Sequence, residues 1–277
     1  MMIVINMQPA DEESNAMTTT PSVLITGASS GIGATYARRF ARRGHDLIIV
    51  ARDHEKLERL ADEIRADSNV AVEVLQADLT DRDDLAKVEA RLRDDGRIGI
   101  LVNNAGASIG GGFERQSADD IERILTLNTT AVVRLANAVA ARFVAAGEGA
   151  IINVGSVVGL IPEFGQTAYG ATKAFVLYLS QGLSFELAPK GVYVQAVLPA
   201  ATDTEIWARS GAHPDQIPPL MAVGELVDAA LTGFDRREPI TIPPLPDAAQ
   251  WETYQAARLT MLPGFAQVHA AERYKAS

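Results

Sequence analysis

The chain contains no cysteine. That excludes a disulfide framework, a thiol nucleophile and a thiolate metal site, and it permits a cytoplasmic protein. Positive charge is scarce as well: 25 Lys and Arg stand against 35 Asp and Glu, a formal net charge of −10 at pH 7. Such a balance argues against a general binder of nucleic acid or of anionic membranes. No continuous apolar run approaches the ~20 residues that a membrane-spanning helix needs. The opening stretch MMIVINMQPADEESNAMTTTP has a short apolar piece but no basic flank, unlike a secretory signal. Residues 1–20 read as a mobile acidic leader, with Met17 as a second candidate start. His45, His54, His213 and His269 show no ligand spacing, so no catalytic metal is expected.

What is present suits one globular domain: 277 residues, of which 47% are hydrophobic and 22% charged. Short β-branched runs bounded by turn residues predict strands at 22–26, 46–51, 70–75, 98–103, 149–155 and 191–198, with PITIP (239–243) as a last one. Helical patterns at 33–43, 54–66, 81–94, 118–145 (one helix or two), 168–188 and 224–233 lie between them. The alternation predicts an α/β fold, a doubly wound parallel sheet of Rossmann type. Residues 21–277 form the single domain, in which 203–222 read as a substrate lid and 244–277 as an irregular C-terminal extension.

The first strand runs into ITGASSGIGA. Gly27, Gly31 and Gly33 permit a tight turn and close packing of the next helix, whose free N–H groups favour a phosphate. The spacing G-x-x-x-G-x-G differs from the better known G-x-G-x-x-G, and no Lys-Ser or Lys-Thr follows as in a Walker loop. In this loop the chain resembles the short-chain dehydrogenase/reductase family, which carries T-G-x-x-x-G-x-G here. The likeness continues in order through ADL (77–79), NNAG (103–106), Asn128, Ser156 and the pair Tyr169 and Lys173. It is close over 22–204 and loose beyond.

After the second strand a dinucleotide fold commonly places an acid for the adenosine ribose. IIVARD instead puts Arg52 there, and a guanidinium matches a 2′-phosphate in charge and fork geometry. NADP(H) is therefore the expected cofactor, with NAD(H) as the alternative; Asp53 comes one residue too late to be the usual ribose acid. Ser29 or Ser30 offers a further hydroxyl contact. The resemblance implies that Ile32, Leu79, Ala105, Pro199, Thr202 and Thr204 border the cofactor. It also implies that Asp78 fixes the adenine edge, with Asn104 and Gly106 beside the nucleotide. A plain reading of Asp78 is a helix N-cap.

Carbonyl reduction leaves negative charge on oxygen, so a proton donor and an oxyanion partner are required. Residues i and i+4 share a helix face, so Lys173 stands beside Tyr169 and is expected to lower its pKa. By resemblance Tyr169 exchanges the substrate proton, and Lys173 holds the nicotinamide ribose. In the same way Ser156 bonds the substrate oxygen, and Asn128 supports Lys173 through a water. LPAATDTEIW departs from the family by placing Ala200 where a glycine is usual, which strains the loop if a positive φ is needed there.

ASIGGGF (107–113) and VVGLIPEF (157–164) supply a nearly uncharged cleft wall, and EIWARSGAHPDQIPPLMAV (205–223) lies across it with Arg209 as the one candidate anion clamp. Phe164, Ile206 and Trp207 are candidate substrate contacts beside Ser156. An apolar ketone or aldehyde, or the matching secondary alcohol, is the expected small-molecule partner, with oxo-acids and sugar phosphates poor substrates and neither nucleic acid nor membrane bound. The helix 168–188 is apolar on more than one face and so is expected to be buried on both sides. Since the family it resembles commonly pairs this helix across a subunit interface, a homodimer or homotetramer is expected. Two other readings stay open: an NAD-dependent alcohol dehydrogenase of the same fold, and a non-catalytic NADP-binding sensor or scaffold.

Overall fold

In β1 (Ser22–Thr26) successive side chains point to opposite faces, so Val23 and Ile25 enter one core while Leu24 enters another. All three are fully buried. This computed structural model describes residues 20–205 and 219–275. Nearly all of the expected leader, the middle of the expected lid, and with it Ile206, Trp207 and Arg209, lie outside the described residues.

Six more strands join β1: β2 (Leu47–Ala51), β3 (Val72–Gln76), β4 (Ile98–Asn103), β5 (Ala150–Val154), β6 (Tyr193–Val197) and β7 (Ile240–Thr241). Every pairing is parallel, in the order β3-β2-β1-β4-β5-β6-β7. The strand order reverses between β1 and β4, and the crevice outside the carboxyl ends of those strands is where such sheets bind ligands. Helices α1 (Gly31–Arg42) and α2 (His54–Asp67) cover one face; α3 (Arg82–Asp94) covers the other.

The pattern at 118–145 forms α4 (Ala118–Leu125) and α5 (Ala131–Ala146), joined without a break by a π turn (Thr126–Thr130). Contrary to the sequence expectation, this 29-residue stretch is long and apolar enough, by length and composition, to cross a membrane. It is a core helix here: Ile124, Val132, Leu135, Val139 and Phe143 are buried, and Leu135, Val139 and Phe143 pack with β1, β4 and α3 residues. Next come α6 (Thr167–Leu187) and α7 (Val223–Asp235), close to their expected bounds.

The C-terminal extension is not wholly irregular. It holds α8 (Ala248–Leu259), capped by Asp247, whose carboxylate accepts from Ala249 N at 2.9 Å. None of its residues is fully buried, so no apolar period marks it in the sequence. Trp251 alone anchors it to a small cluster with Val157, Leu160, Leu177 and Leu198.

Candidate active site

Close approach of two backbones shapes the glycine loop. Gly27 and Gly31 take φ of +66° and +54°, and a Cβ on Gly27 would stand 2.8 Å from Ala105 Cα. Gly33 lets α1 pack tightly, since a Cβ there would lie 2.3 Å from the Gly27 carbonyl oxygen. Asn104 holds this contact: its Nδ2 donates to the carbonyls of Thr26 (2.9 Å) and Gly27 (3.1 Å). In return the Thr26 hydroxyl accepts from the N–H groups of Asn104 and Ala105. Asn104 thus shapes the loop from behind.

The N-terminus of α1 is open. Ser30 makes no side-chain cap and no acid occupies the first turn, whereas Asp53, Asp81 and Ser117 cap α2, α3 and α4. Unpaired N–H groups and the positive end of the helix dipole make this an anion site. A cavity of about 330 Å³ opens beside it, lined by Ser29, Ser30 and Gly31 and by three cations, Arg38, Lys56 and Arg59, against one carboxylate, Glu63, which pairs with Arg38. Ile32 packs below the loop against the core, and Thr204 reaches the loop from the far side. These features fit a dinucleotide phosphate.

Arg52 is largely exposed, and its Nη1 lies 3.7 Å from Asp78 Oδ2. The plain reading of Asp78 as a helix cap does not hold. Asp78 Oδ1 accepts from Thr80 N and Oγ1, while Asp81 caps α3 and Asp53 caps α2. Leu79 is buried in the core beneath. Arg52 and the cationic cavity together suit a 2′-phosphate, the property expected of an NADP site.

β5 and α6 bring the reacting groups together. Ser156 follows β5; its Oγ donates to the Pro199 carbonyl (3.2 Å) and accepts from Val158 N (3.3 Å), and it lies close enough to Tyr169 to draw that phenol's pKa down. Tyr169 and Lys173 occupy adjacent turns of α6. Lys173 is buried, with Nζ donating to the Val154 carbonyl at 2.9 Å. Its ammonium was expected to lower the Tyr169 pKa, but burial dominates in the free protein. Desolvation pushes Tyr169 up to about 12 against the opposing pull of Ser156, and it pulls Lys173 down to about 8.

Asn128 sits in the π turn, a kind of turn frequent at functional sites. It is 1% exposed, and both sides of its amide engage Ala107: Oδ1 accepts from N at 2.9 Å and Nδ2 donates to O at 2.8 Å. The same Nδ2 donates to Thr172 Oγ1 at 3.0 Å, a partner that spacing alone did not suggest. A Cβ on Gly106 would lie 3.3 Å from Asn128 Oδ1 and 3.4 Å from Lys173 Nζ, so both groups flank that glycine.

The segment after β6 closes the site. The Pro199 carbonyl also accepts from Val157 N at 2.9 Å, and Thr202 forms a bridge with Met221. Ala200 needs no left-handed backbone, since Arg237 is the one non-glycine residue with positive φ among the described residues. The expected strain is absent. Phe164 ends a 3-10 turn, Pro162–Phe164, and is 55% exposed near the start of α6. Trp251, which the sequence reading passed over, joins Val157 and Leu160 in an apolar wall just beyond Ser156.

Residues 21–215 match the family described as short chain dehydrogenase. The chain belongs to that family. Among solved structures it is similar to a short-chain dehydrogenase from Sphingobium yanoikuyae in complex with NADPH, at 64% identity and TM-score 0.91, covering 92% of this chain and 100% of that one. It is also similar to a bulky-bulky ketone specific alcohol dehydrogenase from Comamonas testosteroni, at 57% identity and TM-score 0.87, covering 94% and 100%. A curated relative is the very-long-chain 3-oxoacyl-CoA reductase-A of Danio rerio, 35% identical over 187 residues, 66% of this chain and 58% of that protein. The chain thus matches less than two thirds of that relative's length.

Proposed function

We propose that the chain is an NADP(H)-dependent oxidoreductase interconverting an apolar ketone or aldehyde and its alcohol. The observation that carries this reading is the gathering of Ser156, Tyr169 and the buried Lys173 in one place, with an open helix N-terminus nearby. When bound, the nicotinamide supplies or accepts the hydride. Tyr169, held neutral by burial, keeps its proton available for a carbonyl oxygen, and the Ser156 hydroxyl gives that oxygen a second hydrogen bond. Lys173 has ammonium protons beyond the one given to Val154, and these serve the ribose hydroxyls. Asn128 supports the Lys173 side of the site.

Arg52, Ser30 and the cationic cavity favour NADP(H) over NAD(H), and the NADPH held by the similar Sphingobium yanoikuyae protein supports the same choice. A substrate with bulk on both sides of the carbonyl is the favoured class, in keeping with the ketone specificity of the Comamonas testosteroni relative and with the wall of Trp251, Val157 and Leu160. We also infer a homodimer or homotetramer, because Tyr178 and Phe185 on α6 are 81% and 86% exposed in the single chain. A screen of ketones, aldehydes, oxo-acids and sugar phosphates, followed by NADPH absorbance, tests the reading. Turnover of apolar ketones is expected; preference for oxo-acids over every apolar carbonyl would overturn the substrate class.

A further inference from the structure

We propose that Thr172 is a positioning residue that fixes the orientation of the Asn128 amide and, through it, the side of that amide presented toward Lys173. The inference rests on the place given to Asn128 and Lys173 in the site above.

Thr172 precedes Lys173 on α6 and is 1% exposed. Its hydroxyl has one proton, and Oγ1 lies 2.7 Å from the Tyr169 carbonyl oxygen, which can only accept. With the proton directed there, what Thr172 offers to Asn128 at 3.0 Å is a lone pair. Asn128 must therefore turn its NH₂ toward Thr172. Its other N–H meets the Ala107 carbonyl at 2.8 Å, and Oδ1 meets the Ala107 N–H at 2.9 Å. All three contacts demand the same orientation. A flipped amide would set oxygen against the Ala107 carbonyl and the Thr172 lone pair, and NH₂ against the Ala107 N–H.

The orientation matters because of what lies on the Oδ1 side. The position a Gly106 side chain would take is 3.3 Å from Asn128 Oδ1 and 3.4 Å from Lys173 Nζ. An acceptor and an ammonium thus flank one point, which suits the passage or retention of a proton. Were the amide reversed, two donors would face that point from both sides. Thr35 and Ser180 likewise bond a helix carbonyl, four residues back where Thr172 reaches three, as buried hydroxyls in helices often do. Ser180 serves the buried Asn153 amide of β5 in the same way, at 2.9 Å; the Thr172 contact is set apart by the amide it meets, which stands beside Lys173 Nζ.

Thr172→Val keeps the shape and removes the hydroxyl, while Thr172→Ser keeps the hydroxyl. For Thr172→Val we expect kcat with a good apolar ketone to fall at least tenfold, with KM and Kd for NADPH within about threefold of wild type. Thr172→Ser should return kcat to within about threefold. Asn128→Ala, measured alongside, separates the two levels of the argument. If Asn128→Ala keeps full kcat, the reading of Asn128 fails and this inference falls with it. If Asn128→Ala loses activity while Thr172→Val keeps it, only the role of Thr172 is overturned. Equal losses in Thr172→Val and Thr172→Ser, or a rise in Kd for NADPH matching the fall in kcat, would also overturn it. Circular dichroism checks folding, and Thr172→Ala replaces Thr172→Val in the same comparison if the latter does not fold.

Discussion

The Lys173 ammonium donates to the Val154 carbonyl at 2.9 Å and stands 5.7 Å from the centroid of the Tyr169 ring. It therefore binds the strand directly and influences the phenol through space. Burial acts on the two groups in opposite senses, raising Tyr169 to about 12 and lowering Lys173 to about 8. At neutral pH the free protein holds a neutral phenol beside a mostly charged ammonium, the state that a proton donor for carbonyl reduction requires.

Tyr169→Phe should leave NADPH affinity within a few fold and remove nearly all turnover. The ring keeps its packing while the ionisable proton is lost. Steady-state kinetics with an apolar ketone make the check; more than a tenth of wild-type kcat would reject Tyr169 as the donor.

Lys173→Met should abolish activity yet raise stability at pH 7. The folded pKa of Lys173 lies near 8, below its ordinary 10.5, because burial penalises the charge. Below pH 8 the folded protein carries that cost in full. Between pH 8 and 10.5 the unfolded chain holds a proton that the folded one has released, so wild-type stability rises with pH. The shift bounds the cost at about 3 kcal/mol, and the lost Val154 hydrogen bond offsets about 1 kcal/mol of any gain. A rise in melting temperature of roughly 2–6 °C at pH 7 is expected, shrinking toward pH 10.5. A melting temperature that falls at pH 7, or a gap that widens with pH, would contradict this.

The sheet and its order of elements were legible because they rest on local signals, β-branched runs and glycine spacing. The i,i+4 spacing put Lys173 beside Tyr169, whereas Ser156 and the roles of all three came only through the family resemblance. Thr172 was not legible, since its meaning depends on Asn128, 44 residues away, and on a π turn that has no sequence period of its own. The plain alternative for Asp78, a helix cap, falls because Asp81, three residues on, competes for the same helix start and takes it. Helix α8 escaped for a related reason, because its residues are almost wholly exposed. The sign of the Tyr169 shift was also missed, as spacing shows a neighbouring charge and not the depth of burial.

Arg52→Asp should lower catalytic efficiency with NADPH far more than with NADH. In the free protein Arg52 faces Asp78 at 3.7 Å, so the substitution sets two carboxylates where a 2′-phosphate would lie. Charge-assisted contacts of this kind are worth about 1.5–3 kcal/mol, so the ratio of efficiencies should move at least tenfold. An unchanged ratio would remove Arg52 from the recognition of the phosphate.

Gly27→Ala should destabilise the fold by about 2–4 kcal/mol, combining a left-handed backbone with overpacking. The new Cβ would stand 2.8 Å from Ala105 Cα and 2.9 Å from Asn104 Nδ2, backbone on one side and the loop's own tether on the other. NADPH binding should weaken more than tenfold, because relief requires the phosphate loop to move. Isothermal titration and thermal melts decide it; wild-type affinity in a stable variant would show that the loop is less constrained than its contacts imply.

The outer face of α6 makes the last case. Lys173, Val176, Leu177 and Ser180 point inward, while Phe175, Tyr178 and Phe185 are 38%, 81% and 86% exposed. Aromatic side chains of that size are seldom left clustered on a helix face in water, and a second copy of the same face gives each a matching apolar surface. Two glutamates there would place like charges opposite each other across such a contact without touching the inward-facing residues. Tyr178→Glu with Phe185→Glu should therefore convert a dimer or tetramer to a smaller species, by light scattering, while circular dichroism stays that of the folded chain. Wild-type protein that scatters as a monomer, or a double variant with unchanged mass, would show that this face is not the interface.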